Sequence, residues 1–378
     1  MLSAAGLAVF RKRNEILHAA SPASNLAVSP VSIGVALSML GAGASAQSAT
    51  SRELRTALGQ LGDEEAGRGA LQERVGALDG EGLFMANSLW VDSAIEDAFV
   101  RECELVFRAE VRGLAGKDAI NKHVEDKTDG LVKGLLTQDP SSSLLLNVFA
   151  LQLRWFSEFD EAHSQDDALF HAFDGDRRCR MMHKKEPRML SVGRVGSSTV
   201  LLLPYANDAQ DGDVEHETMD DALFRFCAVF VLPDGEGPPA LAEGIEHVFS
   251  NIAAAVSSAA ANIRRATVCL PAFTVQTGTV SIKTELEALG VRRAFKPDEA
   301  ELTRMASGRT WVADVLHNVV IKVDEKGTVA AAATAVATTK GRSPPVMHVE
   351  INRPFGFGVF DLRTEETLFA ASVVNPAP

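Results

Sequence analysis

Cysteine is scarce in this sequence, and its spacing does not fit a metal site. The 378 residues include four cysteines, which lie far apart and form no Cys-x-x-Cys pair. This pattern indicates free thiols in a reducing compartment. The sequence also contains no Asn-x-Ser/Thr glycosylation site, as is typical of an intracellular or prokaryotic chain. We therefore expect no bound metal and no cofactor.

A net positive charge and long apolar runs are lacking as well. The formal net charge is −13, which argues against nucleic acid and membrane surfaces as partners. No apolar run approaches the ~18 residues of a membrane-spanning helix. At the N-terminus the cations of residues 11–13 follow the apolar stretch, the reverse of a secretory leader. These features favour a cytoplasmic or prokaryotic intracellular location, with an extracellular one as the alternative if a leader was removed or export is leaderless.

Catalytic motifs are absent too. There is no Gly-x-Ser-x-Gly elbow and no His-Glu-x-x-His helix, and the nine histidines are scattered. We therefore expect that the protein is not an enzyme. One polar set stands out because each member interrupts an otherwise apolar segment: Ser29, Ser32, Asn147 and His317. A Ser–His dyad and a hydrogen-bonded core cluster are both open interpretations of this set.

What the sequence does contain is a long segment of small residues, from Asp324 to Pro345. Its first two thirds are mostly Ala, Thr and Val. As a strand it would present two narrow, neutral faces, with Thr328 on one and Val329 on the other. Such a strand could enter a sheet without burying a charge. An Ala-rich helix or a flexible linker is the alternative, since Ala favours helices.

Four blocks of sequence resemble the serpins, which inhibit serine or cysteine proteases. The segment after Asp324 resembles the serpin hinge and reactive-centre loop, beginning with Glu325-Lys326-Gly327-Thr328. Residues 353–357 and 374–376 resemble the last blocks of the family, and residues 25–33 resemble its first block. The resemblance runs from Asn25 to Pro376, and we see no composition break that would act as a linker.

The resemblance implies a fold. We expect an α+β serpin fold in a single domain over residues 1–378, with three β-sheets surrounded by eight to nine helices. The hinge and exposed reactive-centre loop would cover about residues 325–350, and the protein would be a monomer. The nearly continuous apolar run from Ser142 to Leu153 predicts a strand buried on both faces. Ser29 and Pro30 predict a helix start, and residues 239–261 predict one helix.

The resemblance also implies the site residues. Ser29, Ser32, Asn147 and His317 would form the shutter, a hydrogen-bond cluster beneath the two central strands. Trp155 would lie in the breach, at the end of those strands. The hinge would comprise Glu325, Lys326, Gly327, Thr328, Val329, Ala330, Ala331, Ala332, Ala333 and Thr334.

Two of the departures from the family pattern concern contacts of the main sheet. Ala272 stands where a basic residue often pairs with Glu325, which we expect to loosen this end of the sheet. His123 stands in place of a Trp on the helix that crosses the sheet.

The function that the resemblance implies is suicide-substrate inhibition, with a target protease as the partner. A protease cleaves the loop, and the freed hinge inserts into the sheet as a new strand. We expect the scissile bond at Arg342-Ser343, with Lys340-Gly341 as the alternative, and both suit a trypsin-like serine protease. The alternatives are inhibition of a papain-like cysteine protease and a non-inhibitory serpin acting as carrier, storage protein or chaperone.

Overall fold

The computed structural model describes residues 2–20, 24–59, 64–78, 82–206, 216–217, 224–327 and 345–376. The chain groups into two compact units. The first unit contains Met1–Arg13, Val28–Leu151 and Gln276–Val320. The second contains Asn14–Ala27, Gln152–Val275 and Ile321–Pro378. The single-domain organisation remains a prediction.

Nine α-helices occur within the described part of the chain. They are α1 (Ser3–Ala20), α2 (Pro30–Gly43), α3 (Ala49–Ala57), α4 (Glu64–Ala77), α5 (Asp97–Phe107), α6 (Lys117–Lys127), α7 (Gly237–Phe249), α8 (Ile252–Ala260) and α9 (Lys283–Ala288). Ser29 caps α2 by accepting a hydrogen bond from the Ser32 N–H, and Pro30 fills the first turn. This helix start is confirmed, because a capping hydroxyl and a proline both suit a helix N-terminus.

Sixteen strands lie in the same ranges. They are β1 (Leu26–Val28), β2 (Leu83–Val91), β3 (Glu110–Gly113), β4 (Leu144–Leu151), β5 (Gln165–Ala172), β6 (Gly175–Val195), β7 (Ser198–Pro204), β8 (His216–Glu217), β9 (Phe226–Pro233), β10 (Ile263–Pro271), β11 (Phe273–Gln276), β12 (Val280–Ser281), β13 (Asp314–Val323), β14 (Met347–Glu350), β15 (Phe355–Asp361) and β16 (Glu366–Val373). The expected α+β class is confirmed. No helix among the described residues meets the length and hydropathy that a membrane span requires.

The first unit is built on a sheet in which β4 is central. All eight residues of β4 are buried, as the apolar run predicts. β2 pairs with β4 in antiparallel orientation, and β13 pairs with its other edge in parallel orientation. Helix α6 covers this sheet through Ile120 and Val124, which pack with Trp90 and Leu146 in one buried apolar cluster.

The second unit is built on a sheet that β6 holds together. β6 is 21 residues long and pairs with β5 in its first part, with β10 from Met181 to Ser191, and with β7 from Ser191 to its end. The described strands form two hydrogen-bonded sheets, of ten and six strands. The serpin resemblance implied three sheets. The core of this unit contains Phe355 and Phe357 from β15, which contact the rings of Phe230 and Phe273.

Residues 239–261 form two helices rather than the predicted single one. Helix α7 ends at Phe249 and α8 begins at Ile252. Asn251 between them has a non-helical backbone, with φ −143° and ψ 61°. Asn favours helix boundaries over helix interiors, because its short amide competes for backbone groups. Val248 and Ile252 are nevertheless both buried, so the apolar pattern continues across the break.

Candidate functional site

The first part of the candidate site is the line where β4 and β13 meet, which we call the seam. The two strands pair in parallel register from Asp314 opposite Leu144 to Val320 opposite Ala150. A parallel ladder is slightly less stable per residue than an antiparallel one. A new strand between them that ran opposite to both would replace this one parallel ladder with two antiparallel ladders. The seam is therefore a place where the sheet can gain hydrogen bonds by opening.

A buried polar cluster lies on the seam. His317 of β13 is directly opposite Asn147 of β4. Nδ1 of His317 donates a hydrogen bond to Oδ1 of Asn147 at 2.5 Å. Nε2 of the same ring accepts one from the Ser29 backbone N–H at 3.1 Å. This side-chain bond crosses the seam, so a strand that entered between β4 and β13 would have to break it.

The amide of Asn147 joins two further residues to the cluster. Its Nδ2 donates to Oγ of Ser32 at 2.7 Å and to Oδ1 of Asn87 at 2.5 Å. Asn87 belongs to β2 and lies directly opposite Asn147 in the antiparallel register. Asn87 was not predicted as a member of this cluster, although it is a polar residue in an apolar strand, the same signal that singled out Asn147. We call these five residues the seam cluster: Ser29, Ser32, Asn87, Asn147 and His317.

The seam cluster is not built as a nucleophile and base. The Ser29 hydroxyl accepts a hydrogen bond from the Ser32 N–H at 3.3 Å, and the Ser29 contact to His317 is made by its backbone. Burial, with a smaller effect of the Arg13 charge, lowers the pKa of His317 to about 3, against the opposing effect of its bond to Asn147. His317 is therefore neutral with its proton on Nδ1, and the dyad interpretation is wrong.

The second part of the site is a tight turn in the second unit, Asp324–Gly327, which we call the hinge turn. It follows β13 directly and is held by the segment that follows β4. Trp155 donates its indole N–H to the Asp324 carbonyl at 2.9 Å and its backbone N–H to the Lys326 carbonyl at 3.0 Å. The Trp155 ring stacks on Tyr205, with centroids 4.6 Å apart and planes 7° apart. The stacked indole thus fixes the position of the hinge turn.

Gly327 is required by both its conformation and its surroundings. Its φ is +139°, a region that residues with a Cβ rarely adopt. A Cβ at this position would overlap the Leu153 carbonyl and lie 2.7 Å from the Trp155 nitrogen. The hinge turn can therefore close against Trp155 only because residue 327 has no side chain.

The Glu325 carboxylate anchors the other side of the hinge turn. It is 6% exposed and accepts hydrogen bonds from Oγ of Ser164 at 2.7 Å and Nε of Arg180 at 2.6 Å. Arg180 also forms a close ion pair with Asp166. Burial tends to raise the pKa of Glu325, but the bonds from Ser164 and Arg180 outweigh it, so the pKa is lowered. Glu325 is therefore held as a paired carboxylate.

The sequence did not predict that a cation would lie beside Glu325. Ala272 was expected to leave Glu325 without a basic partner, yet Arg180 on β6 supplies one. The Ala272 N–H donates to the Arg180 carbonyl at 2.9 Å, so the two residues are neighbours on adjacent chain segments. Arg180 lies 145 residues before Glu325, and no local pattern reveals such a pairing.

Comparison with known proteins identifies the family. The model of the family described as "Serpin (serine protease inhibitor)" matches residues 10–376. This chain belongs to the serpin family. A putative serpin-Z12 of Oryza sativa subsp. japonica is 30% identical over 371 residues, covering 93% of this chain and 85% of its own length.

Solved serpin structures share the fold over the whole chain. Native protease nexin-1 with heparin has a TM-score of 0.79 at 23% identity, covering 99% of this chain and 97% of its own. Human thyroxine-binding globulin, solved with thyroxine, also has a TM-score of 0.79, at 22% identity, covering 100% and 99%. The expected serpin fold is confirmed. Because serpins are protease inhibitors and not enzymes, the expectation that the chain is not an enzyme is confirmed as well.

The structure accounts for some of the residues that the serpin resemblance implies. Ser29, Ser32, Asn147 and His317 are brought together in the seam cluster, and Trp155 contacts the hinge turn. Within the hinge, Glu325, Lys326 and Gly327 lie in that turn. Outside the described residues are the rest of the hinge and both candidate scissile bonds: Thr328, Val329, Ala330, Ala331, Ala332, Ala333, Thr334, Lys340, Gly341, Arg342 and Ser343.

Helix α6 keeps an aromatic contact in this serpin despite its histidine. The His123 ring meets Trp90 edge to face, with centroids 5.6 Å apart. Glu110 lies 4.0 Å from Nδ1 of His123. Burial is the largest effect on this imidazole and lowers its pKa. The imidazole of His123 thus contacts Trp90 from the helix that covers the sheet.

Metal chemistry has no support in the part of the chain that the structure describes. Its His, Cys, Asp and Glu side chains form no group of three or more that could hold an ion. All four cysteines are free. Burial raises the pKa of Cys179 to about 11 and that of Cys269 to about 12, so both are protonated thiols at neutral pH.

Proposed function

We propose that this serpin inhibits a trypsin-like serine endopeptidase by the suicide-substrate mechanism. The observation that carries the proposal is the closed seam. Two parallel strands pair directly, and the chain leaves one of them through a glycine turn into a run of small residues. This arrangement supplies both a place for a new strand and a segment narrow enough to fill it.

The proposed reaction begins as ordinary proteolysis. The hydroxyl of the protease serine attacks the Arg342 carbonyl carbon, and the bond from Arg342 to the Ser343 nitrogen breaks. The serine proton passes through the protease histidine to the departing Ser343 amine. Arg342 is then joined to the protease as an ester, and the hinge is free of its C-terminal tether.

Insertion of the freed hinge supplies the driving force. The segment from Thr328 to Thr339 would insert as a strand between β4 and β13. Each net backbone hydrogen bond contributes roughly 0.5–1.5 kcal/mol, so about a dozen ordered residues release on the order of 10 kcal/mol. The native form is then metastable, held by a kinetic barrier. The bond from His317 to Asn147 across the seam is part of that barrier, because insertion must break it.

Insertion inhibits because it moves and distorts the attached protease. Loss of one oxyanion-hole donor slows hydrolysis about 10²–10³-fold, so modest distortion stalls release of the ester. Arg342 suits a pocket with an acid at its base, which is the reason for preferring a trypsin-like target. Lys340-Gly341 is the alternative scissile bond and suits the same pocket.

The test is incubation with trypsin, followed by denaturing electrophoresis and sequencing of the released C-terminal peptide. We expect a covalent complex stable to SDS and a peptide that begins at Ser343. Arg342→Ala should abolish the complex with trypsin, while Lys340→Ala should leave it unchanged. A peptide that begins at Gly341 would move the scissile bond to the alternative. Cleavage without any complex would contradict the proposal.

Two other functions are distinguished by the same assay. A complex with papain but not with trypsin would show a cysteine-protease inhibitor, since papain-like proteases also accept basic residues. Cleavage by every protease without a complex or a gain in heat stability would indicate a carrier, storage protein or chaperone. Likeness to thyroxine-binding globulin shows the fold alone, at 22% identity. The small, neutral hinge favours the inhibitory function.

A further inference from the structure

Two cations on β6 point toward the hinge turn and the segment that holds it. Arg180 and Lys184 are four residues apart on this strand, so they lie on the same face. Arg180 donates to the Glu325 carboxylate at 2.6 Å. Lys184 is buried and donates to the Ser157 carbonyl at 2.6 Å and to its hydroxyl at 2.9 Å. Together they connect one strand to both sides of the hinge turn.

The Lys184 contacts hold the segment from Trp155 to Phe159. Nζ of Lys184 lies 4.8 Å from the centre of the Phe159 ring, in a cation–π contact. The Phe159 backbone N–H in turn donates to the Glu325 carbonyl at 2.8 Å. Glu325 is thus held at its backbone through Phe159 and at its carboxylate through Arg180.

Arg180 is well suited to control Glu325 because the carboxylate is buried. Among the hydrogen bonds to this carboxylate, one comes from the neutral Ser164 hydroxyl and one from the charged Arg180. Removing the Arg180 cation would leave the buried Glu325 charge with weaker hydrogen bonding to offset its desolvation. The free-energy cost of that loss exceeds the net contribution of the intact pair. Asp166 is largely exposed, so it orients Arg180 without competing for a buried position.

We propose that Arg180 is the positioning residue that keeps the hinge turn closed and thereby sets the rate at which the hinge inserts. It substitutes for a cation at position 272, from the neighbouring chain segment. The inference rests on the proposed function, since it concerns the insertion step. It is separable from protease recognition, because Arg180 contacts Glu325, which precedes Arg342 by 17 residues in the sequence (342 − 325).

The test measures insertion with and without a protease. Intact wild-type protein and Arg180→Met are held below their melting temperatures, and the native fraction is followed by loss of trypsin inhibition and by appearance of a heat-stable, inserted form. We expect Arg180→Met to convert about tenfold faster, as for one lost charge-assisted hydrogen bond. Conversion at the wild-type rate would overturn the inference.

A relocated cation gives the decisive comparison. Arg180→Met combined with Ala272→Lys places a cation on the adjacent segment and should return the rate to near the wild-type value. A merely structural loss at Arg180 would not be repaired in this way, so failure of the double variant to slow conversion counts against the inference. Arg178→Met is the matched control, because Arg178 is on the same strand but pairs with the exposed Asp167. It should convert at the wild-type rate.

A milder variant keeps the inference testable if Arg180→Met does not accumulate in the native form. Arg180→Lys retains the charge without the guanidinium geometry, so we expect a rate between those of wild type and Arg180→Met. A wild-type rate in Arg180→Lys would then overturn the inference. Wild-type protein that forms no trypsin complex would refute the proposed function instead, while the protease-free conversion rates would still test Arg180.

Discussion

Individual residues set how firmly the native hinge turn is held. Gly327 and Glu325 both favour the closed turn, by different physical means. Gly327 permits the close approach to Trp155 because it lacks a Cβ. Glu325 contributes a carboxylate that accepts hydrogen bonds from Ser164 and Arg180. Both effects depend on a few atoms, so single substitutions are informative at this scale.

Gly327→Ala should destabilise the native form. The added Cβ overlaps the Leu153 carbonyl, and alanine at φ +139° is strained. Strained backbone of this kind costs about 1–3 kcal/mol, so we expect a lower melting temperature for the intact protein. Gly290→Ala is the matched control, because Gly290 has φ +96° but a Cβ there meets open space. Equal melting temperatures for the two variants would show that the clash with Leu153 has no effect.

His317 should make stability depend on pH. Burial lowers its pKa in the folded chain from 6.5 to about 3. Between these values the unfolded chain binds a proton that the folded chain does not, so the free energy of unfolding falls as pH decreases. The fall is at most about 1.4 kcal/mol per pH unit, and it is absent above pH ~6.5.

The measurement for His317 is the urea midpoint of wild type and His317→Gln between about pH 7 and pH 4. Glutamine keeps hydrogen-bonding capacity but does not titrate in this range. We expect the midpoint of the wild type to fall more steeply than that of the variant. Parallel pH profiles would mean that His317 does not contribute to the acid sensitivity.

At the scale of elements, the seam and the hinge must match. β4 and β13 pair over residues 144–150 and 314–320. A strand that inserted between them would have to carry small, neutral side chains. If the hinge inserts as a strand, its alternation would put Thr328 and Val329 on opposite faces. Only one of these faces would be directed into the core of an opened sheet.

Thr328→Glu should therefore convert the proposed inhibitor into a substrate. A carboxylate carried into the sheet interior is costly to desolvate, so insertion stalls and the protease completes hydrolysis. Val329→Glu carries the same charge on the opposite face and should still form the complex. The ratio of complex to cleaved product with trypsin measures the effect. Equal partitioning of the two variants would contradict the proposed strand orientation.

At the scale of the whole molecule, the native state is proposed to be metastable. If the hinge becomes a strand after cleavage, the cleaved protein gains a full set of ladder bonds while losing only one peptide bond. An unfolding transition of the intact protein then reports a kinetic barrier and not the most stable arrangement of the chain.

Cleavage within the loop should therefore raise the melting temperature. A gain on the order of 10 kcal/mol corresponds to a rise of roughly 13 °C for a chain of this size. Calorimetry on intact and nicked wild-type protein measures it, with nicked Thr328→Glu as the control that should show a smaller rise. Identical melting of intact and nicked wild-type protein would rule out insertion.

Much of the local structure was predictable from the sequence because the signals are local. Ser29 and Pro30 predict the start of α2, since a cap and a fixed φ act within one turn. The apolar run at Leu144–Leu151 predicts a doubly buried strand. The polar residues that interrupt such segments, His317 and Asn147 among them, predict a shared buried cluster, because buried amides and imidazoles need partners.

The sequence by itself determined the family, the buried central strand and the chemical character of the hinge, because composition and short-range pattern carry that information. Only the tertiary structure decided which side chains complete the network. Asn87 joins the seam cluster through its register opposite Asn147, and Arg180 replaces the cation missing at Ala272 from 145 residues before Glu325. These pairings depend on strands brought together by folding, and distance along the chain does not encode proximity in space.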